Sequence, residues 1–121
     1  MHGHLTDDGD LDRYDEVFTD DVVYDVTDFG LGELRGVEAV REAGRTLGDA
    51  NPVGHHVTNI VIEEMHDGVV AARSKGLGVM ADGTTGSVTY EDVIERRQGR
   101  WRMSRRKVIQ RRRPLSGRSQ P

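Results

Sequence analysis

Three turn signals divide the second half of this chain at nearly regular intervals. Asp67-Gly68, Asp82-Gly83 and Gln98-Gly99 are residue pairs suited to the positive backbone angles of tight β-hairpins. The segments between them are rich in β-branched residues and fall at about 55–65, 69–80, 86–97 and 100–109. Because hairpin loops join antiparallel neighbours, the pattern predicts a β-meander.

The first half of the chain has a different periodicity. Leu11, Tyr14 and Phe18 recur at helical spacing, which predicts a short helix over 10–18. We further expect a strand over 22–26, a Gly-rich link over 29–32 and a second helix over 37–47. Helices followed by a meander are typical of an α+β domain, here predicted to span 1–113, with a flexible tail over 114–121.

Composition limits the possible locations and sites. The absence of cysteine excludes disulfides, thiolate metal sites and cysteine nucleophiles. No apolar run approaches the roughly 20 residues that span a bilayer, and the first residues lack the segments of a signal peptide. We therefore expect a cytoplasmic protein without membrane contact.

Charge is distributed unevenly along the chain. Residues 1–49 hold fourteen Asp or Glu against four Arg, whereas 96–113 hold ten Arg or Lys and no acid. We expect the two regions to attract each other within the fold or across a dimer. The alternative, a nucleic-acid surface, is less favoured because the basic stretch lacks the interleaved aromatic residues of a single-strand platform.

A two-residue loop at Gln98-Gly99 would set the pairing of the last two segments. One face would then hold these pairs: Ile94 with Met103, Asp92 with Arg105, and Arg96 with Trp101. The opposite face would pair Glu95 with Arg102 and Glu91 with Arg106, a ladder of opposite charges suited to solvent. The first face, which also carries Tyr90, is therefore predicted to point inward.

Similar reasoning extends the inward face to the earlier segments. A two-residue loop at Asp67-Gly68 places His55 opposite Met80 and Asn59 opposite Gly76. The inward residues of this strand are small, namely Ala72, Ser74, Gly76 and Gly78. So little side-chain volume predicts a sharp bend or a hollow. A two-residue Asp82-Gly83 loop would turn Tyr90 and Asp92 to the other face. We choose a three-residue loop, Asp82-Gly83-Thr84, because it gathers the polar residues inward, with Tyr90 beside Gly76 and Asp92 beside Ser74.

The predicted inward polar set can support acid–base chemistry. A histidine titrates near neutrality, so His55 can give or take a proton, and a carboxylate such as Asp92 can orient or balance it. The alternative is a structural role for His55 and a structural Asp92–Arg105 pair. His55 and His56 point to opposite faces and are not a metal clip, and we assign no role to His2 and His4. No phosphate or dinucleotide fingerprint is present, so we expect no cofactor.

Five runs together resemble the SnoaL-like families of the nuclear transport factor 2-like superfamily. They are GDLDRYDEVFTDDVVYDVTDFG, LRGVEAVREA, HHVTNIVIEE, SVTYEDVIER and GRWRMSRRKV. The resemblance covers about 7–111 and implies a bent antiparallel sheet wrapped with helices into a cone, with an internal pocket and a homodimer. The first helix would be shortened or missing, because family members usually have about twenty more residues before Asp7.

The resemblance also implies site residues. A strand histidine of the scytalone dehydratase-like members matches His55, and their helix-end aspartate matches Asp7. Tyr24 or Asp25 falls near a pocket tyrosine, and Asp92 matches an inward acid. Ketosteroid isomerase activity is disfavoured, since its base would fall near Val26.

These observations predict a small-molecule pocket. We expect a cofactor-independent lyase or isomerase acting on an apolar, oxygenated ring compound such as a polyketide, steroid or terpenoid. The catalytic residues would be His55, Asp7 and Asp92. The substrate would be bound by Tyr24, Asn59, Ser74, Tyr90, Trp101, Met103 and Arg105. The alternative is a non-catalytic ligand-binding or dimerisation module of the same fold.

Overall fold

A computed structural model describes residues 1–118 and shows the predicted α+β fold, with one large sheet and few helices. The last three residues of the predicted tail lie outside the described part. The helices and strands are α1 (His2–Asp7), β1 (Phe18–Asp25), β2 (Glu33–Arg35), α2 (Val37–Leu47), β3 (Gly54–His66), β4 (Val69–Val79), β5 (Thr85–Arg97) and β6 (Arg100–Arg111). Short 3₁₀ helices occur at Leu11–Glu16, Thr27–Phe29, Gly48–Ala50 and Pro114–Gly117.

The strands form one bent, unclosed sheet in the order β2-β1-β6-β5-β4-β3. Strands β3 to β6 are the predicted antiparallel meander. The sheet is not antiparallel throughout, however, because β1 pairs with β6 in parallel. A parallel pair needs a long connection, and here most of the chain separates the two strands. No local pattern predicts such a pairing.

The N-terminal region differs from its predicted structure. The helix expected over 10–18 is a 3₁₀ helix that ends at Glu16, and β1 begins at Phe18. Phe18 is fully buried, so its apolar spacing from Tyr14 reflects packing at a helix–strand junction rather than one continuous helix. The chain before it forms the six-residue helix α1.

One bulge in β6 changes the predicted partners of β5. The pairing follows the expectation as far as Ile94 with Met103, and then shifts by one residue. Asp92 therefore lies opposite Arg106, and Arg105 turns to the outer face. The predicted Asp92–Arg105 pair is wrong, because an extra residue in one strand reverses the side of every residue beyond it.

Two bulges in β3 change its register against β4. His55 pairs with Gly78 rather than Met80, and Asn59 lies in the first bulge with a φ of 55°. The middle loop holds 81–83, so Tyr90 lies opposite Ser74, two residues from the expected partner. A slip of two residues keeps each side chain on its predicted face.

The inner face of the sheet packs against α1, α2 and the first 3₁₀ helix. Its main core consists of Leu5, Tyr14, Phe18, Val22, Val37, Val40 and Met103, and a smaller cluster of Val26, Tyr90 and Val108 adjoins it. Gly76 is needed beside this second cluster, since a Cβ atom there would lie 2.3 Å from the Tyr90 ring. The cone interior is thus closely packed on the β5–β6 side.

The parallel pairing brings the acidic and basic regions together. Arg97 binds Asp21 at 2.8 Å, and Arg105 lies 3.5 Å from Asp25. Attraction between the two regions within the fold is thereby confirmed. None of the helices within 1–118 is long and apolar enough to cross a membrane.

Candidate functional site

The histidine of β3 and the aspartate that ends α1 form a dyad. Asp7 Oδ1 lies 2.5 Å from His55 Nδ1, and Asp7 Oδ2 accepts a 2.9 Å hydrogen bond from the His55 backbone N–H. The carboxylate therefore holds both the ring and the strand. A carboxylate only accepts hydrogen bonds, so Nδ1 of the neutral imidazole must carry the proton. That leaves Nε2 as a free proton acceptor.

Close packing of α1 on β3 makes this dyad possible. A Cβ atom on Gly3 would lie 3.1 Å from the Cβ of His55, so a glycine permits the approach. Leu5, which is fully buried, anchors the helix in the core. Thr6 Oγ1 lies 2.5 Å from Tyr14 Oη and links the helix to the next segment. These contacts set the position of Asp7 at the helix end.

A second pair lies deeper, on the central strands. Arg106 Nε and Nη2 donate to the two carboxylate oxygens of Asp92 at 2.8 and 3.0 Å. The guanidinium lies 3.9 Å from the centre of the Tyr90 ring. Burial alone would lower the pKa of Arg106, but the hydrogen bonds and charge of Asp92 raise it above its ordinary value. Arg106 is thus a permanently charged donor inside the cone.

The His2 ring occupies the space between these two pairs. Its Nδ1 lies 3.3 Å from Arg106 Nη1, and its ring centre lies 6.2 Å from that of His55. Burial, followed by the nearby charges of Arg106 and His55, lowers the pKa of His2 well below its ordinary value. The ring is therefore neutral, and its Nδ1 accepts a hydrogen bond from Arg106. We predicted no role for His2, and the structure places its ring on the inner side of the sheet beside Arg106.

Aromatic side chains enclose the same space. The Tyr14, Phe18 and Tyr24 rings meet the His2 ring edge-on, with centres 5.4, 5.1 and 5.8 Å away. Burial raises the pKa of the Tyr24 hydroxyl, which therefore stays protonated and can donate a hydrogen bond. The interior thus combines a proton acceptor, two types of donor and an apolar wall.

The structure brings together some of the residues predicted for this site. Those on the inner face are His55, Asp7, Asp92, Tyr24, Ser74, Tyr90 and Met103. Asp92, however, pairs with Arg106 and not with His55.

Three predicted site residues lie elsewhere. Asn59 is exposed in its bulge, where its side chain bonds Thr58, because the positive φ turns it out of the face. Trp101 is half exposed beside Arg96, near the start of β6. Arg105 binds Asp25 and Glu33 on the outer side of the β6 bulge.

Sequence reasoning missed two residues of the interior. Arg106 was placed on the solvent face, and nothing in the Arg105-Arg106 pair shows which of the two points inward. His2, Leu5 and Thr6 do lie at helical spacing, so a signal for the inward face of α1 was present.

Two surface depressions lie away from the dyad. One, of about 320 Å³, is lined mainly by charged residues from the outer side of the sheet, including Glu63, Glu91, Arg105 and Lys107. The other, of about 300 Å³, lies beside Arg111–Arg113. His55 lines neither of them. Within 1–118, no cluster of three or more His, Asp or Glu could hold a metal ion.

Solved structures support this architecture. A candidate aromatic ring hydroxylase from Novosphingobium aromaticivorans superposes with a TM-score of 0.77 at 25% identity, over 93% of this chain and 82% of that one. LinA gives 0.75 at 24% identity, over 95% and 82%. A candidate scytalone dehydratase from N. aromaticivorans gives 0.73 at 18% identity, over 92% and 77%. At identities below 25% the likeness concerns the fold alone.

The sequence itself identifies the family. A search of curated proteins found no match. The model of the SnoaL-like domain, by contrast, matches residues 1–107, nearly the whole chain. This family and its structural neighbours support a small-molecule-binding fold. The chain therefore belongs to the SnoaL-like domain family, within the nuclear transport factor 2-like superfamily.

Proposed function

We propose that this protein is a cofactor-independent lyase or isomerase of an apolar, oxygenated ring compound, of the polyketide, steroid or terpenoid kind. The observation that carries the proposal is the Asp7–His55 dyad, which leaves His55 Nε2 free to accept a proton. His55 is the general base, and Asp7 orients it and stabilises its charged form. Tyr24 and Arg106 supply hydrogen bonds to substrate oxygens, which replaces the earlier assignment of Arg105.

The proposed chemistry balances without another reactant. His55 Nε2 takes a proton from a carbon beside a polarised C–O group. In a lyase, that C–H electron pair forms a C=C bond as the neighbouring C–O bond breaks, and the leaving hydroxide takes the proton back from His55 as water. In an isomerase, His55 returns the proton to a different carbon. A fixed hydrogen bond from Arg106 stabilises negative charge on the substrate oxygen in both cases.

Turnover by a His55 variant tests this proposal. We would screen cyclic ketones, hydroxyketones and phenolic polyketide analogues for binding by thermal shift, and then assay the binders for loss of water or a shifted double bond. His55→Ala should lower turnover by about 10²- to 10⁴-fold, the usual contribution of general acid–base catalysis. His56→Ala is the matched control, because the adjacent side chain points to the other face. Full activity in His55→Ala would refute the proposed base.

A non-catalytic binding module is the second candidate. It is favoured by the His2 ring, which fills the interior next to the dyad. In that case the screen would find compounds that bind this protein and His55→Ala equally and are never converted. Conversion of any bound compound that depends on His55 would exclude this candidate.

We further propose that the protein is a homodimer through the sheet. β3 lies at the edge of the sheet and exposes large apolar side chains, namely Val57, Ile60, Val61, Ile62 and Met65. The adjoining outer surface carries two acidic residues, Glu63 and Glu91, and two basic residues, Arg105 and Lys107. A twofold axis can therefore pair opposite charges. A second copy is therefore a suitable occupant.

Light scattering at micromolar concentration tests this assembly. The protein should have the mass of a dimer, and Ile60→Lys should shift it towards monomer. Leu31→Lys is the control, as Leu31 is similarly exposed but lies in the link before β2. A monomeric protein would contradict the proposal. Binding of nucleic acid stays unexpected, because acidic groups of the fold engage part of the basic strand; a salt-sensitive gel shift would overturn this.

A further inference from the structure

The partly buried His2 side chain, between the Asp7–His55 and Asp92–Arg106 pairs, is not a typical core residue. The His2 ring is polar and neutral, and three aromatic rings enclose it. An apolar side chain would pack among those rings without the cost of burying ring nitrogens. The His2 ring nevertheless suits this position, because it is flat and its nitrogen can accept a hydrogen bond.

The acceptor requirement comes from Arg106. Asp92 accepts one hydrogen bond from Arg106 Nε and one from Nη2. The partner of Nη1 is His2 Nδ1. A buried N–H without a partner costs about 1–3 kcal/mol. Whatever fills this space must offer an acceptor to that nitrogen, as a carbonyl or hydroxyl oxygen of a ring compound would.

The surroundings of the His2 ring match those needed by the proposed substrate. His55 lies on one side of the ring and Tyr24 on another, and Arg106 faces its acceptor nitrogen. Leu5 anchors α1 in the core independently of His2, so the ring can turn away while the helix and Asp7 stay in place. Asp7 would then still orient His55.

We propose that the space filled by the His2 ring is the ring-binding subsite, and that it takes a neutral, flat five- or six-membered ring whose hydrogen-bond acceptor faces Arg106. The role of this ligand as the substrate rests on the proposed function. The His2 ring acts as an internal substitute that the ligand displaces. The His2 ring and the ligand therefore compete for the same space.

Binding of pyridine and benzene tests the subsite without any turnover. The two rings have the same shape, but only pyridine offers an acceptor, and it is neutral at pH 7.5. Pyridine should bind His2→Ala at least tenfold more tightly than the unchanged protein, because the competing ring is gone. In His2→Ala, pyridine should also bind several-fold more tightly than benzene. His4→Ala is the matched control, since His4 lies exposed on the same helix.

Two results would overturn the inference. Equal or weaker binding of pyridine by His2→Ala would mean that His2 does not occupy the ligand space, and tighter binding of benzene would remove the acceptor requirement. Should His2→Ala fold poorly, saturating pyridine in the unchanged protein should move the His2 ring resonances towards those of His4. Resonances that stay in place would likewise refute it. Pyridine binding involves no proton transfer by His55, so a failed catalytic assay leaves this test intact.

Discussion

Two side-chain pairs, each containing one aspartate, differ in their burial and in the packing around them. Asp92 and Arg106 lie on central strands, and each side chain is 7% exposed. Asp7 and His55 lie between a six-residue helix and an edge strand, with side chains 23% and 16% exposed. The deep pair is surrounded by packed side chains, whereas the shallow pair is reachable from solvent. We infer that the deep pair fixes the interior and the shallow pair exchanges protons.

Removing one carboxylate from each pair should show the largest difference. Asp92→Ala should lower the free energy of unfolding by about 3–5 kcal/mol, because it leaves the buried Arg106 charge unpaired. Asp7→Ala should cost only about 1 kcal/mol, since water can reach His55. Denaturant unfolding of both variants measures the difference.

A double variant sharpens this prediction if Asp92→Ala is too unstable to study. Asp92→Leu together with Arg106→Met removes both charges and should be more stable than either single change. Equal losses for Asp92→Ala and Asp7→Ala would contradict the distinction between the pairs.

A smaller effect is expected on the wall of the deep pair. Gly76→Ala would push a Cβ atom against the Tyr90 ring that stacks on Arg106, and overpacking of this kind costs about 1–3 kcal/mol. Gly86→Ala is the control, because a Cβ atom on that glycine meets nothing within 4 Å and its φ is ordinary. Thermal unfolding compares the two. If Gly76→Ala were as stable as Gly86→Ala, the close packing of this wall would be disproved.

The pH dependence of stability probes the ring between the pairs. Because the pKa of His2 is lowered in the folded state, the unfolded chain takes up a proton first as the pH falls below about 6.5. Stability from this group is therefore present above that pH and lost below it. From pH 7.5 to 5.5, the free energy of unfolding of the protein should fall by about 1 kcal/mol more than that of His2→Gln. The Gln amide can still accept a hydrogen bond from Arg106. Parallel curves would show that the His2 ring is not held neutral.

Local signals in the sequence predicted much of the fold. The Gln98-Gly99 hairpin has the expected two-residue loop, and α2 has the predicted bounds. The inward faces of Tyr90 and Asp92 are also confirmed, since the error in the middle loop was an even number of residues. Local turn chemistry and periodicity determine these features, and both can be read without a partner strand.

The rest depends on interactions that the local sequence does not show. A bulge adds one residue without a compositional mark, so Arg105 and Arg106 exchanged their expected faces and Asn59 left the interior. The parallel β1–β6 pair joins distant segments. Only the resemblance suggested Asp7. Asp7 and His55 are far apart in the sequence, so no local pattern predicts their contact.

The proton position on His55 is the most direct measure of the proposed chemistry. Two-bond ¹H–¹⁵N correlation spectra distinguish a protonated Nδ1 from a protonated Nε2 in the neutral imidazole. The dyad predicts that the neutral ring carries its proton on Nδ1, bound to Asp7, with Nε2 free, and that Asp7→Ala shifts the proton towards Nε2. A neutral His55 protonated on Nε2 in the unchanged protein would contradict its role as the general base.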